Sequence, residues 1–147
     1  MDEMIDKSEY EAAVKSFFNV FALFAEENEQ EQHAAYLDCI HQWGLQLFIS
    51  EEKLNRLRSG EPGYKFRVPD SQQDAIEQVY DIVYMIYLDK VVEDIELEIV
   101  MKFAEKLGFE KHVVGDLVKA IVTAPYDGIS RKNVRKELAM LLDDARQ

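Results

Sequence analysis

The chain has one cysteine, three prolines and six glycines in 147 residues, and each shortage excludes something. A lone thiol, Cys39, makes no internal disulfide, so the fold does not depend on an oxidising compartment. So little glycine and proline excludes collagen-like and linker-dominated chains. No apolar run approaches the 18 or so residues of a membrane span. The longest candidate, residues 82–88 (IVYMIYL), ends against Asp89. Positive charge is also scarce: 17 basic against 29 acidic residues give −12, a surface that repels phosphate backbones and argues against nucleic acid as a partner. The opening residues Met1-Asp2-Glu3-Met4-Ile5-Asp6 are acidic where a signal peptide needs a positive start. A cytoplasmic protein is expected, with any membrane contact indirect.

The chemistry-bearing motifs are missing too. His33, His41 and His112 have no HExxH spacing, and a single cysteine makes no zinc knuckle. Cys39 and His41 stand two apart, a spacing that does not face on a helix. There is no glycine-rich phosphate loop and no G-x-S-x-G elbow. With no nucleophile or acid/base pair placed, a non-enzymatic protein is expected.

What is present is helical periodicity. The chain is 48% hydrophobic, ample for a core, and its length suits one domain over residues 1–147. Ser8 with Glu11 reads as a capping box opening a helix with Val14, Phe17, Phe18, Phe21 and Phe24 on its apolar positions. A second helix carries Ala34, Leu37, Ile40, Trp43 and Leu47, and Ser50 caps a third with Glu51 and Glu52 in its first turn. The loop 59–70 (SGEPGYKFRVPD) precedes a helix restarted at Ser71, whose 76–88 stretch is apolar all round, as a buried central helix is. Its tyrosines Tyr80, Tyr84 and Tyr87 are read as core packing rather than a ligand face. Helices follow from about Glu93 to Leu107, stopped by Gly108, and from Lys111 to about Val122. Ser130 opens a last one with Val134, Leu138, Leu141 and Leu142, next to a basic run, Arg131 to Lys136, that reads as a solvated face. An all-α bundle of about seven helices results.

A shift of 60 residues superimposes the two halves. Leu37 then meets Leu97, Ile40 meets Val100, Trp43 meets Phe103, Leu47 meets Leu107, Leu54 meets Val114 and Leu57 meets Leu117. The breaks coincide as well as the apolar positions, so two similar helical units around one core are expected.

The acidic turn Tyr87-Leu88-Asp89-Lys90-Val91-Val92-Glu93-Asp94-Ile95-Glu96 holds the candidate site. It resembles the turn of the TerB-like (tellurite-resistance) family, also seen in some membrane-anchored co-chaperones, in which a glutamate follows an aspartate by seven residues. Asp89 and Glu96 have that spacing, and Phe103 to Phe109 is similar to the family's following helix end. Lys90 stands where the family usually has glycine, Leu88 where it has alanine, and Tyr36 falls opposite Glu96 in the first half. The resemblance implies a stress-response binding module that acts through a metal and protein contacts. Asp89, Glu93 and Glu96 are then the candidate ligands of a divalent cation of the Ca²⁺ or Mg²⁺ class, which takes several carboxylate oxygens. The residues by themselves read first as a helix N-terminus, where carboxylates cap the chain with no metal at all. The alternative function is accordingly a pure protein-interaction or oligomerisation domain, with another protein or a second copy as partner.

Overall fold

The computed structural model describes residues 7–26, 32–60, 63, 65–88 and 92–123, and every regular element among them is an α-helix. Six helices follow one another: α1 (Lys7–Glu26), α2 (His33–Gln46), α3 (Glu51–Arg58), α4 (Gln72–Leu88), α5 (Asp94–Lys106) and α6 (Lys111–Thr123). The seventh expected helix, after Ser130, lies outside the described residues, as does the basic run Arg131–Lys136. Among the described residues no helix is long and apolar enough to cross a membrane.

Two starts follow directly from their caps. Ser50 is extended, and its Oγ accepts the Lys53 N–H at 3.1 Å, with Glu51 and Glu52 in the first turn of α3. Ser71 does the same for α4, accepting the Asp74 N–H at 3.0 Å. Each such cap is worth about 1 kcal/mol. The expected box at Ser8 differs: Ser8 is itself helical, in the first described turn of α1, and is not an N-cap. That first turn is held from outside the helix, where the Tyr10 hydroxyl donates to the Leu47 carbonyl.

The core forms where α1 crosses α4 and α2 crosses α5. Around these crossings α1 packs on α2, α2 on α3, α4 on α5 and α5 on α6. Phe17, Val20, Ile40, Trp43, Val83, Ile86, Val100 and Phe103 are all at most 1% exposed. Burying one side chain of this size stabilises by roughly 1.5–3 kcal/mol, which is what drives these amphipathic faces together. As expected, α4 is buried almost all round, and Tyr80 is sealed in the core with Tyr84 stacked on it at 6.4 Å. Cys39 is a free, half-buried thiol packed against the same cluster. One polar pair is sealed into the α1–α4 seam: Ser16 Oγ donates to Asp81 Oδ2 at 2.7 Å.

Close approach sets one glycine. A Cβ on Gly44 would stand 2.6 Å from Leu54 Cδ2 and 2.8 Å from Phe17 Cζ, so only glycine lets α2 settle on α1 and α3 here. The loop before α4 is strapped to α1. The Asn19 side chain exchanges two hydrogen bonds of 2.9 Å with the backbone of Arg67, and Glu26 accepts the Phe66 N–H at 2.7 Å.

The ends of α2 and α5 are built alike. Beyond α2, the Leu47 N–H bonds the Trp43 carbonyl and the Ile49 N–H reaches back to Gly44. Beyond α5, Leu107 bonds Phe103 and Phe109 reaches back to Ala104. A chain leaving a helix this way passes through a left-handed residue. After α5 that residue is Gly108 at φ +104°; after α2 it is Phe48 at φ +63°.

Candidate functional site

The acidic turn joins α4 to α5. Its first expected ligand, Asp89, lies outside the described residues, with Lys90 and Val91. The other two are placed, and they do different things. Glu93 is exposed and extended (φ −100°, ψ 151°), the N-cap of α5. Its backbone N–H donates to Glu96 Oε1 at 3.0 Å, so Glu96 turns back over the helix start it helps to close. This geometry comes from a glutamate at the third helical position, which reaches an N–H the helix leaves unpaired.

Glu96 is only 1% exposed. Its second oxygen, Oε2, accepts the indole N–H of Trp43 from α2 at 3.0 Å. A carboxylate is tolerated at such depth only with hydrogen-bonding partners, and here one oxygen has a backbone amide and the other an indole. Two residues on, Glu98 Oε1 accepts the Tyr36 hydroxyl at 2.8 Å. Tyr36 and Trp43 are seven residues apart on α2, two helical turns along one face. The acids of α5 therefore meet a polar tip on each of two α2 aromatics, clasping the helices across their crossing.

Around Tyr36 the environment is closed. Phe24 meets its ring edge-on at 5.0 Å, and the Lys102 ammonium lies 6.0 Å above it. Burial first, then the Glu98 carboxylate beside the hydroxyl, pushes the Tyr36 pKa up to about 12, because a phenolate there would be desolvated and repelled. Lysine, tyrosine and glutamate thus sit in one stack at the surface end of the clasp.

Among the described residues no three His, Cys, Asp or Glu side chains gather as a metal-binding group. Asp94, in the first turn of α5, is exposed and favours the helix start by its charge. His41 pairs with Glu51 at 2.6 Å and Arg58 with Asp38 at 2.8 Å, both linking α2 to α3. His41 thus faces α3, while Cys39 lies against the core, and the two do not form a nucleophile and base. A recess between α1 and the end of α3, lined by Phe18, Phe21, Ala25 and Leu57, is almost wholly apolar.

The glutamates of the turn were legible as a cap, but their aromatic partners were not. Trp43 read as one more apolar position, although a buried indole N–H calls for an acceptor and was the available signal. Compared with models of known protein families, with curated proteins and with solved structures, the chain finds no match.

Proposed function

We propose that this chain is a non-enzymatic protein-interaction module, made of two similar helical units, in which the acidic turn is structural. The observation that carries the structural reading of the turn is the engagement of Glu96: both of its oxygens already have protein donors, one on the Glu93 amide and one on the Trp43 indole. A hard cation draws on several free carboxylate oxygens, and taking Glu96 as a ligand would orphan a buried indole N–H. The TerB-like resemblance is retained as a likeness of turn and helix order, and its protein contacts come over more readily than its metal.

The duplication is supported by three features. Shifted by 60 residues, α2 and α5 start within one residue of each other and end together, and α3 and α6 start together. The packing scheme is unchanged when the two halves are exchanged: α1 on α2 and α2 on α3 mirror α4 on α5 and α5 on α6, while α1–α4 and α2–α5 map onto themselves. The helix ends at Phe48 and Gly108 share three backbone hydrogen bonds at matching positions.

A thermal melt of metal-free protein titrated with Ca²⁺, Mg²⁺, Mn²⁺ and Zn²⁺ tests the proposal. A midpoint that stays flat to millimolar ion is expected. A saturable rise, worth roughly 2.7 kcal/mol at about 100 times Kd and lost in Asp89→Ala, would restore the divalent cation as the function of the turn.

A further inference from the structure

We infer that Phe48 is the anchor of a docking corner for a basic, apolar-faced segment of a partner protein. The inference rests on the interaction-module proposal and adds the surface and the partner's chemistry. The first observation is exposure. Phe48 is 89% exposed, the most exposed of the large hydrophobic side chains described. Its ring is solvated where Phe17, Phe24, Trp43, Tyr80 and Phe103 are sealed in the core, and Leu45 and Ile49 beside it are only half-buried.

The second observation is that the backbone at this position asks for a different residue. Phe48 is the one non-glycine residue at positive φ among those described. The equivalent turn after α5 makes three matching hydrogen bonds with Gly108 at the left-handed position, so glycine would serve the fold at least as well. An aromatic in left-handed backbone is uncommon and strained, and among the described residues no burial offsets it. A large ring held out at a position that disfavours it is a feature that contact with another molecule would use.

The third observation is the charge of the corner, and it selects the partner. Glu51 and Glu52 follow within four residues, both exposed. The Tyr10 hydroxyl on Leu47 brings the first turns of α1 to the same place, with exposed Glu11 and half-buried Glu9. Lys53 of α3 lies over the Phe18 ring at 5.4 Å, Lys7 is exposed in the same turn of α1 and Glu51 also meets His41, so the glutamates Glu9, Glu11, Glu51 and Glu52 outnumber the two lysines of these turns. An apolar anchor rimmed by carboxylates, on a chain of net charge −12, complements a segment with lysines or arginines around an apolar face. Steering by the whole acidic surface acts in the same direction.

The test uses the full chain and two synthetic amphipathic helical peptides of one length, one of leucine and lysine, the other of leucine and glutamate. Binding is followed by backbone amide shifts. The lysine peptide is expected to shift amides of residues 9–11 and 47–52, the glutamate peptide to leave them unmoved, and Phe48→Gly to weaken binding at least about tenfold. Glu51→Gln with Glu52→Gln is expected to weaken it further and to reduce its salt dependence. Because Phe48→Gly suits the backbone, its loss of binding is not a loss of folding, and an unchanged amide spectrum elsewhere checks this. A lysine peptide that binds at other amides, or equally well to Phe48→Gly, overturns the corner while leaving the interaction module standing. A saturable metal response in the melt, with no peptide shift, overturns both.

Discussion

Replacing Phe48 by glycine is expected to stabilise this protein. Left-handed backbone costs a non-glycine residue about 1–2 kcal/mol. Glycine gives part of that back, since it loses about 0.5–1 kcal/mol more conformational entropy on folding. The side chain removed is 89% exposed, so almost no burial is lost with it. The net gain is about 0.5–1 kcal/mol, or a rise in melting temperature of roughly 2–4 °C for a chain of this size. The mirror experiment is Gly108→Ala. There φ is +104° and an added Cβ meets nothing within 4 Å, so the change is felt by the backbone alone and lowers stability by about 1 kcal/mol or more. Urea denaturation of the two variants beside the parent, at equal m-value, reads both numbers. A Phe48→Gly protein no more stable than the parent would refute the strain, and with it the claim that the ring is held against the preference of the fold.

Three further outcomes follow from the packing. Gly44→Ala is expected to lose about 1–3 kcal/mol, because its Cβ would meet Leu54 and Phe17 below 3 Å, whereas Gly115→Ala, in open space on α6, gains up to about 1 kcal/mol; paired melts compare them. Glu96→Ala orphans the Trp43 indole and the Glu93 amide together and is expected to cost about 2–4 kcal/mol, with Glu96→Gln costing less; near-ultraviolet circular dichroism and denaturation check whether the indole loses its fixed setting. Tyr36 keeps its proton to about pH 12 in the folded state against about 10 unfolded, so its contribution is complete below pH 10 and lost on rising through 12; denaturation across that window is expected to fall less steeply in Tyr36→Phe.

Much of the architecture was written in local pattern. Ser50, Ser71 and Gly108 set helix starts and a stop because caps act within one turn, and the fully apolar stretch of α4 announced a central helix. The offset of 60 residues aligned α2 with α5 because apolar period and break position both repeat. What stayed hidden is what depends on neighbours distant in the chain. That Glu96 faces Trp43, 53 residues earlier, is decided by how α2 lies on α5, and no window of residues contains it. The same holds for Asn19 and Arg67, where a lone asparagine in a helix gave no sign of a backbone partner. The positive φ of Phe48 was illegible for a simpler reason: phenylalanine is not a residue that signals such a turn, and sequence pattern looks for glycine there.

The polar contacts that cross the body share one property. Ser16 with Asp81, Asn19 with Gln78, Tyr36 with Glu98 and Trp43 with Glu96 each take one member from before residue 60 and one from after it. The donors Ser16, Asn19, Tyr36 and Trp43 all stand in the first half and their acceptors in the second, so parting the halves takes all four donors from these acceptors at once. The stretches before and after residue 60 are thus tied to each other by side-chain hydrogen bonds as well as by packing, and unfolding is expected to be a single cooperative transition.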